Sequence, residues 1–378
     1  MRTKELRALV ALVAVFVCGT ALAGSKADIV VMTQNQYLGA DLTPVIAAAS
    51  PEEANAALIG ALVTVSNNNY PERVQALAES ISDKKPHIVA LQEMFAFNCL
   101  DPFGTGNCGL FPNAFNDHLA ATMAALGDNY EVAAVVQNLT LPPAGFPYPG
   151  VPIQLELDGP FIFIEVIDRD VILARTDVDT TVVDFGCMQE QESLDGCNFS
   201  VVAEASLGGF PINIERGFVG IDATVNGTDY RFINTHLEVQ QLGNNPASIY
   251  FQTVQASELL NTIFATFDAS KRYIVAGDFN SSPADVSAIG QPTPYEQMTM
   301  FFTDIWPLRP GKPQGFTCCE LADLSNAPSQ HDERIDIVFT LPAPSTVKAN
   351  VLDAEVEDKT LSGLWPSDHA SVSAELTY

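Results

Sequence analysis

The segment Tyr273-Ile274-Val275-Ala276-Gly277-Asp278-Phe279-Asn280 contains four apolar residues followed by a turn with a carboxylate and a carboxamide. The apolar run predicts a buried strand. Side chains two residues apart on an extended chain point the same way, so Asp278 and Asn280 are expected together at the strand end. A carboxylate and an amide held there can face a metal ion, accept a proton or donate to an anionic oxygen. This stretch therefore indicates a place for chemistry.

Five further segments place polar residues at the end of an apolar strand or within one. They are Thr33-Gln34-Asn35, Leu91-Gln92-Glu93, Asn234-Thr235-His236-Leu237, Arg334-Ile335-Asp336-Ile337 and Ser367-Asp368-His369. Taken singly, each has an ordinary explanation, such as a turn cap, a surface carboxylate or a hydrogen-bonded core histidine. A carboxylate inside an apolar strand is costly unless it is paired, and His369 is the candidate partner for Asp336. The recurrence of the pattern favours one shared site.

The chain is strongly acidic. It carries 46 Asp and Glu against 18 Lys and Arg, a formal net charge of −28. Such a chain repels polyanions at long range. Tight non-specific binding to nucleic acid needs clustered Lys and Arg, and the sequence has no such cluster. The acidity also has a simpler explanation, which is that it keeps an exported protein soluble.

Residues 1–23 have the features of a secretory signal peptide. Arg2, Lys4 and Arg7 precede the apolar run 8–17, and the small-x-small sequence at 21–23 matches a cleavage site. A short retained membrane anchor is the alternative. Cleavage would change the formal charge from −28 to −30, because three basic residues and Glu5 leave. We expect a secreted protein, extracellular or periplasmic, with residues 24–378 forming a single catalytic domain.

Six cysteines follow the predicted signal peptide, an even number that suggests disulfides in an exported chain. Pairing of Cys99 with Cys108, and of Cys187 with Cys197, would close two short loops. The adjacent Cys318 and Cys319 either bridge each other or pair elsewhere. A zinc site is a weaker alternative, because no two cysteines have the two-residue gap typical of zinc ligands.

Strand and helix patterns alternate along the chain, and together they imply two packed sheets with helices outside. Residues 71–81 and 249–267 are expected to be helical, and residues 28–33, 88–91 and 218–225 are expected strands. The proline-rich stretch Leu139–Phe163 interrupts this pattern as a loop or irregular hairpin. It is either a covered surface loop, a wall for a hydrophobic part of a substrate, or a flap that touches a membrane.

The order of these motifs, from Asn35 to Ser367-Asp368-His369, resembles the endonuclease/exonuclease/phosphatase superfamily over nearly the whole chain, Asp28 to Leu376. The resemblance implies an α/β four-layer sandwich, with two mixed, mostly antiparallel sheets packed face to face and helices on both outer sides. It also implies a divalent cation, normally Mg²⁺ with Mn²⁺ or Ca²⁺ as alternatives. The reaction it implies is in-line attack of water on a phosphoester.

The resemblance assigns metal binding to Glu93 as the principal ligand, with Asn35 and Asp368 near the ion. It assigns to Asp278 the orientation or deprotonation of the attacking water. Mg²⁺ takes a few carboxylate oxygens together with water and substrate phosphate, which agrees with this sparse set.

The resemblance assigns contacts with the substrate phosphate to Asn280, His236 and Arg216, and pairs His369 with Asp336 beside the scissile phosphate. A histidine beside a carboxylate has its cationic form favoured, which helps it to bind phosphate.

The sequence departs from the family pattern in one strand. Asp168-Arg169-Asp170 stands where the family usually has glycine, and a tyrosine that often accompanies that region is not identifiable. The role of that tyrosine stays open.

Three functions compete at this stage. The charge and the apolar stretch Leu139–Phe163 favour a phosphodiesterase for a small or lipid phosphoester. The alternative is an extracellular endonuclease, and a third is an inactive binding module on the same fold. The phosphoester substrate is the only partner implied; we expect a monomer without a stable protein partner.

Overall fold

The computed structural model describes residues 27–156, 158–207, 210–240, 248–287, 289–311 and 314–378. The predicted signal peptide, residues 1–23, lies outside the described residues. Among the described residues, each helix is too short or too polar to cross a lipid bilayer.

In chain order the strands are β1 (Ile29–Asn35), β2 (Ile88–Gln92), β3 (Ala96–Leu100), β4 (Tyr130–Leu141), β5 (Val151–Gln154), β6 (Phe161–Arg175), β7 (Asp179–Val182), β8 (Glu192–Ser193), β9 (Gly196–Asn198), β10 (Ala203–Leu207), β11 (Phe210–Ile214), β12 (Gly217–Val225), β13 (Thr228–His236), β14 (Arg272–Asp278), β15 (Thr303–Asp304), β16 (Asp336–Leu341), β17 (Thr346–Leu352) and β18 (Ser371–Thr377). The α-helices are α1 (Thr43–Ile46), α2 (Pro51–Asn67), α3 (Tyr70–Lys84), α4 (His118–Leu126), α5 (Ser248–Ala265) and α6 (Pro294–Thr299).

Two large sheets organise the described chain. The first has the order β17-β18-β1-β2-β6-β3, with β4 and β5 also paired to β6. The second has the order β15-β16-β14-β13-β12-β9-β8, with β7 also paired to β12. The pairs β1–β2 and β13–β14 are parallel, and the other strand pairs are antiparallel. β10 and β11 form a separate hairpin. The predicted mixed, mostly antiparallel sheets are confirmed.

The apolar side chains form three main layers of contact. Residues of both sheets, including Val31 and Ile274, meet in the central core. On the outside of the first sheet, Met32 and Val89 pack with α3. On the outside of the second sheet, Val275 and its neighbours pack with α5 and α6. The order helix, sheet, sheet, helix confirms the four-layer sandwich.

Helix α3 forms where the sequence predicts a helix. In α3, Pro71 lies in the first turn and Val74, Leu77 and Ile81 are buried on one face. These side chains repeat with the period of a helix and cover the sheet. Gly127, with φ 62°, follows the end of α4 as its C-cap.

The stretch Leu139–Phe163 is more regular than its prolines suggest. It comprises the end of β4, the short strand β5 and the start of β6, and β5 pairs with β6. α2 contacts β5 from outside. The prediction of a hairpin insertion is confirmed in outline, whereas α2 was not predicted.

The six cysteines of the described chain lie in three pairs at disulfide-bonding distance. The pairs are Cys99–Cys108, Cys187–Cys197 and Cys318–Cys319. The first two are the predicted short loops, and the third resolves the open alternative as a vicinal pair.

Candidate active site

The candidate active site lies at one edge of the sandwich, where strand ends of both sheets meet. In the first sheet, Asn35 ends β1 and is the register partner of Gln92 on the parallel strand β2. In the second sheet, Asp278 of β14 pairs with His236 of β13 and with Asp336 of β16. The strand pairing therefore brings together residues that are hundreds of positions apart in sequence.

Gly277 shows why the strand ends can approach so closely. Its φ is 153°, and a Cβ built there would lie 1.9 Å from the carbonyl oxygen of Thr235. Only glycine avoids this overlap. The absence of a side chain at residue 277 places Asp278 beside His236.

Asn35 connects two of the carboxylates. Its Nδ2 atom donates to Glu93 Oε1 at 3.2 Å and to Asp278 Oδ2 at 3.1 Å. Its Oδ1 atom accepts from the backbone N–H of Tyr37 at 2.9 Å, which fixes the amide orientation. Leu38 donates its backbone N–H to Glu93 Oε2 at 2.8 Å. Glu93 is partly exposed, so its carboxylate is held but open to solvent.

Asp278 is at the centre of the cluster. Its Oδ2 atom lies 3.5 Å from His236 Nε2 and 3.8 Å from His369 Nε2. Its Oδ1 atom accepts from the backbone N–H of Asn280 at 2.9 Å. Burial raises the pKa of Asp278 to about 7; His369 opposes this rise and Asp336 adds to it. Burial also raises the pKa of Asp368 to about 7.

His369 and Asp336 form a buried ion pair, with Nδ1 of the imidazole 2.8 Å from Asp336 Oδ2. Burial alone would lower the pKa of His369, but the carboxylates of Asp336, Asp278 and Asp368 outweigh it and hold the pKa well above its usual range. His369 is therefore cationic at neutral pH, as an imidazole beside a carboxylate is expected to be.

His236, in contrast, is a neutral imidazole. Burial, with Arg216 and His369 nearby, holds the pKa of His236 well below its usual range. Arg216 Nη1 lies 3.1 Å from His236 Nδ1, and a guanidinium can only donate, so Nδ1 accepts and the proton is on Nε2. His236 stays neutral although Asp278 Oδ2 lies 3.5 Å from its Nε2, because burial and the guanidinium on the other side of the ring both disfavour the imidazolium.

Asn280 is partly exposed beside this cluster. Its Nδ2 atom donates to the carbonyl oxygen of Leu237 at 2.9 Å. An amide nitrogen has two hydrogens, so one N–H is left for a ligand oxygen. Gln252 donates to the carbonyl oxygen of Asn280 and anchors its backbone.

Asp168 and Asp170 on β6 are site residues to which the sequence analysis gave no role. Both are buried, and Asn138 Nδ2 donates to Asp170 Oδ2 at 2.7 Å. Asp170 Oδ1 lies 3.9 Å from His236 Nδ1. Burial raises the pKa of Asp168 to about 7 and holds that of Asp170 well above its usual range. The signal was an acid within an apolar strand, the same one that identified Asp336.

Arg216 lies among these acids. Its Nη2 atom is 3.6 Å from Glu238 Oε1. Burial alone would lower the pKa of Arg216, but Glu238, Asp168 and Asp170 raise it above its usual value. The guanidinium is therefore a permanent positive charge facing the neutral His236.

Two more groups adjoin His369. Cys319, on the exposed side of the vicinal pair, has its Sγ 4.0 Å from His369 Nε2. His331, which the sequence analysis left without a role, has Nε2 3.1 Å from the carbonyl oxygen of Asp368. Both are on the loop before β16, which covers this side of the site.

Arg73 of α3 supports the loops that carry the site. It is fully buried and donates to the carbonyl oxygens of Gln36 at 3.1 Å, Tyr37 at 3.1 Å, Asn68 at 3.0 Å and Pro366 at 2.7 Å. One side chain thus joins the turn after Asn35 to the turn before Asp368.

The carboxylates at this edge fit a divalent cation. In the described residues, the buried oxygens Oδ1 of Asp168, Asp170 and Asp336 and Oε2 of Glu238 accept no hydrogen bond. Ligand atoms of Asp278, Asp336 and His369 also lie within 4.8 Å of one another. Carboxylate oxygens are among the donors that Mg²⁺ prefers. The assignment of the ion to Glu93, Asn35 and Asp368 stays a prediction.

Comparison with known proteins gives a family. The sequence profile described as "Endonuclease/Exonuclease/phosphatase family" matches residues 54–369. The match includes every predicted site residue except Asn35. No curated protein matches the sequence.

Comparison with solved structures gives matches over most of this chain at low sequence identity. A humanized D. rerio TDP2 is 15% identical over 92% of this chain and 97% of that one, with a TM-score of 0.47. Truncated Caenorhabditis elegans TDP2 is 14% identical over 93% and 97%, with a TM-score of 0.48. The Bacteroides thetaiotaomicron mannosyl-6-phosphatase Bt3783 is 13% identical over 93% and 100%, with a TM-score of 0.47.

Proposed function

Because the chain belongs to the endonuclease/exonuclease/phosphatase family, whose members are phosphoester hydrolases, we propose that it is a secreted, Mg²⁺-dependent phosphodiesterase for a small or lipid phosphodiester. The observation that carries the proposal is the cluster at one sandwich edge. There Asp278 lies within 3.1–3.8 Å of Asn35, His236 and His369, which come from both sheets.

The carboxylate of Asp278 is the group that orients the attacking water and takes its proton. It is held by Asn35 on one oxygen and by the backbone of Asn280 on the other. A pKa raised to about 7 by burial suits a general base that works near neutral pH. A bound Mg²⁺ would supply charge stabilisation to the phosphoryl oxygens.

Four other side chains contact the phosphate. His369, kept cationic by Asp336, donates from Nε2 to a phosphoryl oxygen. Asn280 donates its second amide hydrogen, and Arg216 adds a fixed positive charge. His236 donates from Nε2 as a neutral imidazole. These donors are already in position before the phosphate becomes more negative, which is the arrangement that stabilises a transition state.

The charge of the chain favours a small or lipid substrate over a polynucleotide. A net charge of −28 with 18 basic residues gives little of the phosphate neutralisation on which nucleic-acid affinity depends. Secretion is part of the proposal on the strength of residues 1–23, and we propose a monomer without a stable protein partner.

The test is an activity screen of the purified protein with Mg²⁺, Mn²⁺ or Ca²⁺. We expect metal-dependent hydrolysis of bis(4-nitrophenyl) phosphate and of a lipid phosphodiester such as sphingomyelin, and full loss with a chelator. The Asp278→Asn variant is the matched inactive control. Equal rates for both proteins, or no hydrolysis of any phosphoester, would refute the proposal and revive the inactive binding module.

An extracellular endonuclease is the second candidate, favoured by the predicted signal peptide and the disulfide pairs. Plasmid nicking with and without chelator separates the two. Rapid nicking with sphingomyelin and the aryl diester left intact would establish the nuclease instead.

A further inference from the structure

A cavity beside the candidate active site is lined only by apolar side chains. It has a volume of about 130 Å³ and eighteen lining residues, all of them aliphatic or phenylalanine. Its walls come from α1, α2, β3 to β6 and the β11 strand. Leu62, Val151 and Ile153 are buried members of this wall.

Three residues that line the cavity are bonded to site residues or lie close to them in sequence. Leu38 lines it and donates its backbone N–H to the Glu93 carboxylate at 2.8 Å. Phe95 lines it and donates its N–H to the Glu93 carbonyl oxygen at 2.8 Å. Ile214 lines it two residues before Arg216. A phosphate that contacts Arg216 therefore has this cavity as its apolar neighbour.

A second pocket, of about 570 Å³, shares the residues Leu58 and Val151 with the cavity. Phe146, Tyr148 and Phe161 line the second pocket, and Tyr148 and Phe161 are exposed. Its size is in the range of roughly 300–1,000 Å³ that ligand pockets have.

The apolar lining of the cavity determines which chemical class of ligand can bind in it. Nucleobases, sugars and peptide backbones carry polar groups that need hydrogen-bond partners when buried, and this wall offers only apolar side chains. Apolar cavities stay dry, so a hydrocarbon can enter without displacing bound water. A saturated chain gains free energy with each methylene that it buries there.

We propose that this cavity binds one hydrocarbon chain of the substrate, so that the substrate is a lipid phosphodiester whose chain lies along α2 while its phosphate lies between Asp278 and Arg216. This inference rests on the proposed function and narrows it to one substrate class. It also gives the stretch Leu139–Phe163 a role, because Leu139, Leu141 and Val151 form one wall.

The test uses alkyl 4-nitrophenyl phosphate diesters with methyl, butyl and octyl chains, all below their micelle concentrations and with Mg²⁺ present. Water adds to phosphorus, the aryl P–O bond breaks and nitrophenolate leaves, so release of nitrophenolate measures turnover. We expect kcat/KM to rise at least about tenfold from methyl to octyl, because each buried methylene contributes to binding.

Two variants on one helix make the test specific. Ala61→Trp fills the cavity, whereas Val63→Trp lies on the exposed face of α2 and is the matched control. We expect Ala61→Trp to keep the methyl-ester rate and lose the octyl advantage, and Val63→Trp to behave as the parent protein. Leu58→Trp is the second filler if Ala61→Trp does not fold.

The outcomes separate the two proposals. Hydrolysis of the methyl ester without a chain-length gain, or a gain that persists in both filler variants, overturns the cavity assignment and leaves the phosphodiesterase intact. Failure to hydrolyse any diester overturns the proposed function. Calorimetric titration with octyl phosphate then tests the cavity alone: binding lost in Ala61→Trp supports it, and equal binding refutes it.

Discussion

The two histidines of the site differ in charge, and their neighbours explain why. His369 has a carboxylate 2.8 Å from Nδ1, whereas His236 has a guanidinium 3.1 Å from the same ring atom. The first neighbour favours the imidazolium and the second opposes it. A sequence motif specifies only that both residues are histidine, so it does not predict that their charges differ.

Replacement of the central carboxylate tests its proposed role as base. We expect Asp278→Asn to lower kcat by about 10²- to 10⁴-fold, because the amide cannot accept a proton from water. The amide keeps the shape of the side chain, so the thermal unfolding midpoint should change little or rise. Rates are measured with bis(4-nitrophenyl) phosphate under saturating Mg²⁺. A loss of less than threefold would assign the proton transfer to another group.

Asp353 offers a pH-dependent test of stability away from the phosphate contacts. It is buried, accepts from Ser80 and Ser371, and burial raises its pKa to about 6. A carboxyl whose pKa is higher in the folded than in the unfolded protein destabilises the fold when it ionises. The free energy of unfolding therefore falls as pH rises from the unfolded pKa, near 4, to the folded pKa, near 6. Asp353→Asn removes that penalty.

We therefore expect Asp353→Asn to gain about 2 kcal/mol relative to the parent protein at pH 8 and much less at pH 4. Urea unfolding of both proteins across this range measures the difference, and activity should be retained. Parallel stability curves would show that Asp353 does not titrate as described.

At the scale of elements, the pairing of β13 with β14 depends on a glycine, Gly277, which has no side chain. Gly277→Ala would place a methyl group against the Thr235 carbonyl oxygen, 1.9 Å away, at a φ of 153°. We expect a loss of stability of about 3 kcal/mol or more and a larger loss of activity, because Asp278 follows directly.

The matched control is Gly60→Ala on α2, where a Cβ meets no atom within 4 Å. A glycine in a helix interior is less favourable than alanine, so this variant should gain about 0.5–1 kcal/mol. Chemical denaturation measures both. Equal effects of the two substitutions would contradict the account of the strand junction.

The helices and strands that could be predicted from sequence have regularly placed apolar residues and a residue that marks where the element begins or ends. α3 has Pro71 at its start and an apolar face, and β14 has a run of apolar residues followed by Gly277. α2 was missed although Ser50 accepts from Glu53 as an N-cap, because its many alanines and leucines form no narrow stripe. It packs on the inserted strand β5, a contact that local sequence does not encode.

The convergence of the candidate residues was predictable where polar residues end a strand, as at Glu93 and Asp278. Asp168 and Asp170 carry the same sequence signal as Asp336, an acid within an apolar strand, but the sequence did not identify Arg216 and His236 as their neighbours. Which faces of two sheets meet depends on packing of the whole core, so such pairs cannot be read from one strand.

At the scale of the whole molecule, a buried amide joins the two sheets. Asn234 of β13 accepts from Gln92 Nε2 at 2.6 Å and donates to the carbonyl oxygens of Leu91 and Val171 at 2.9 and 3.0 Å. All of these groups are buried. The sheets are therefore held in register by polar contacts within an otherwise apolar core.

We expect Asn234→Leu to lower the free energy of unfolding by about 3 kcal/mol, since the Gln92 amide loses its partner in the core. We also expect kcat/KM of the folded variant to fall, because Glu93 follows Gln92 directly and would shift with it. Asn213→Leu, at an exposed position of β11, should stay within about 0.5 kcal/mol. Urea unfolding and kcat/KM of both variants test this; a stable, fully active Asn234→Leu would contradict it.

β18 lies between β17 and β1 in the first sheet, and the turn before it carries Asp368 and His369. The ribosome translates this segment after every other described strand. The whole second sheet precedes β18 in the sequence, so the strand that follows His369 is the last described one to be made. Under the proposed function, the phosphate contact of His369 would therefore be complete only when β18 takes its place beside β1.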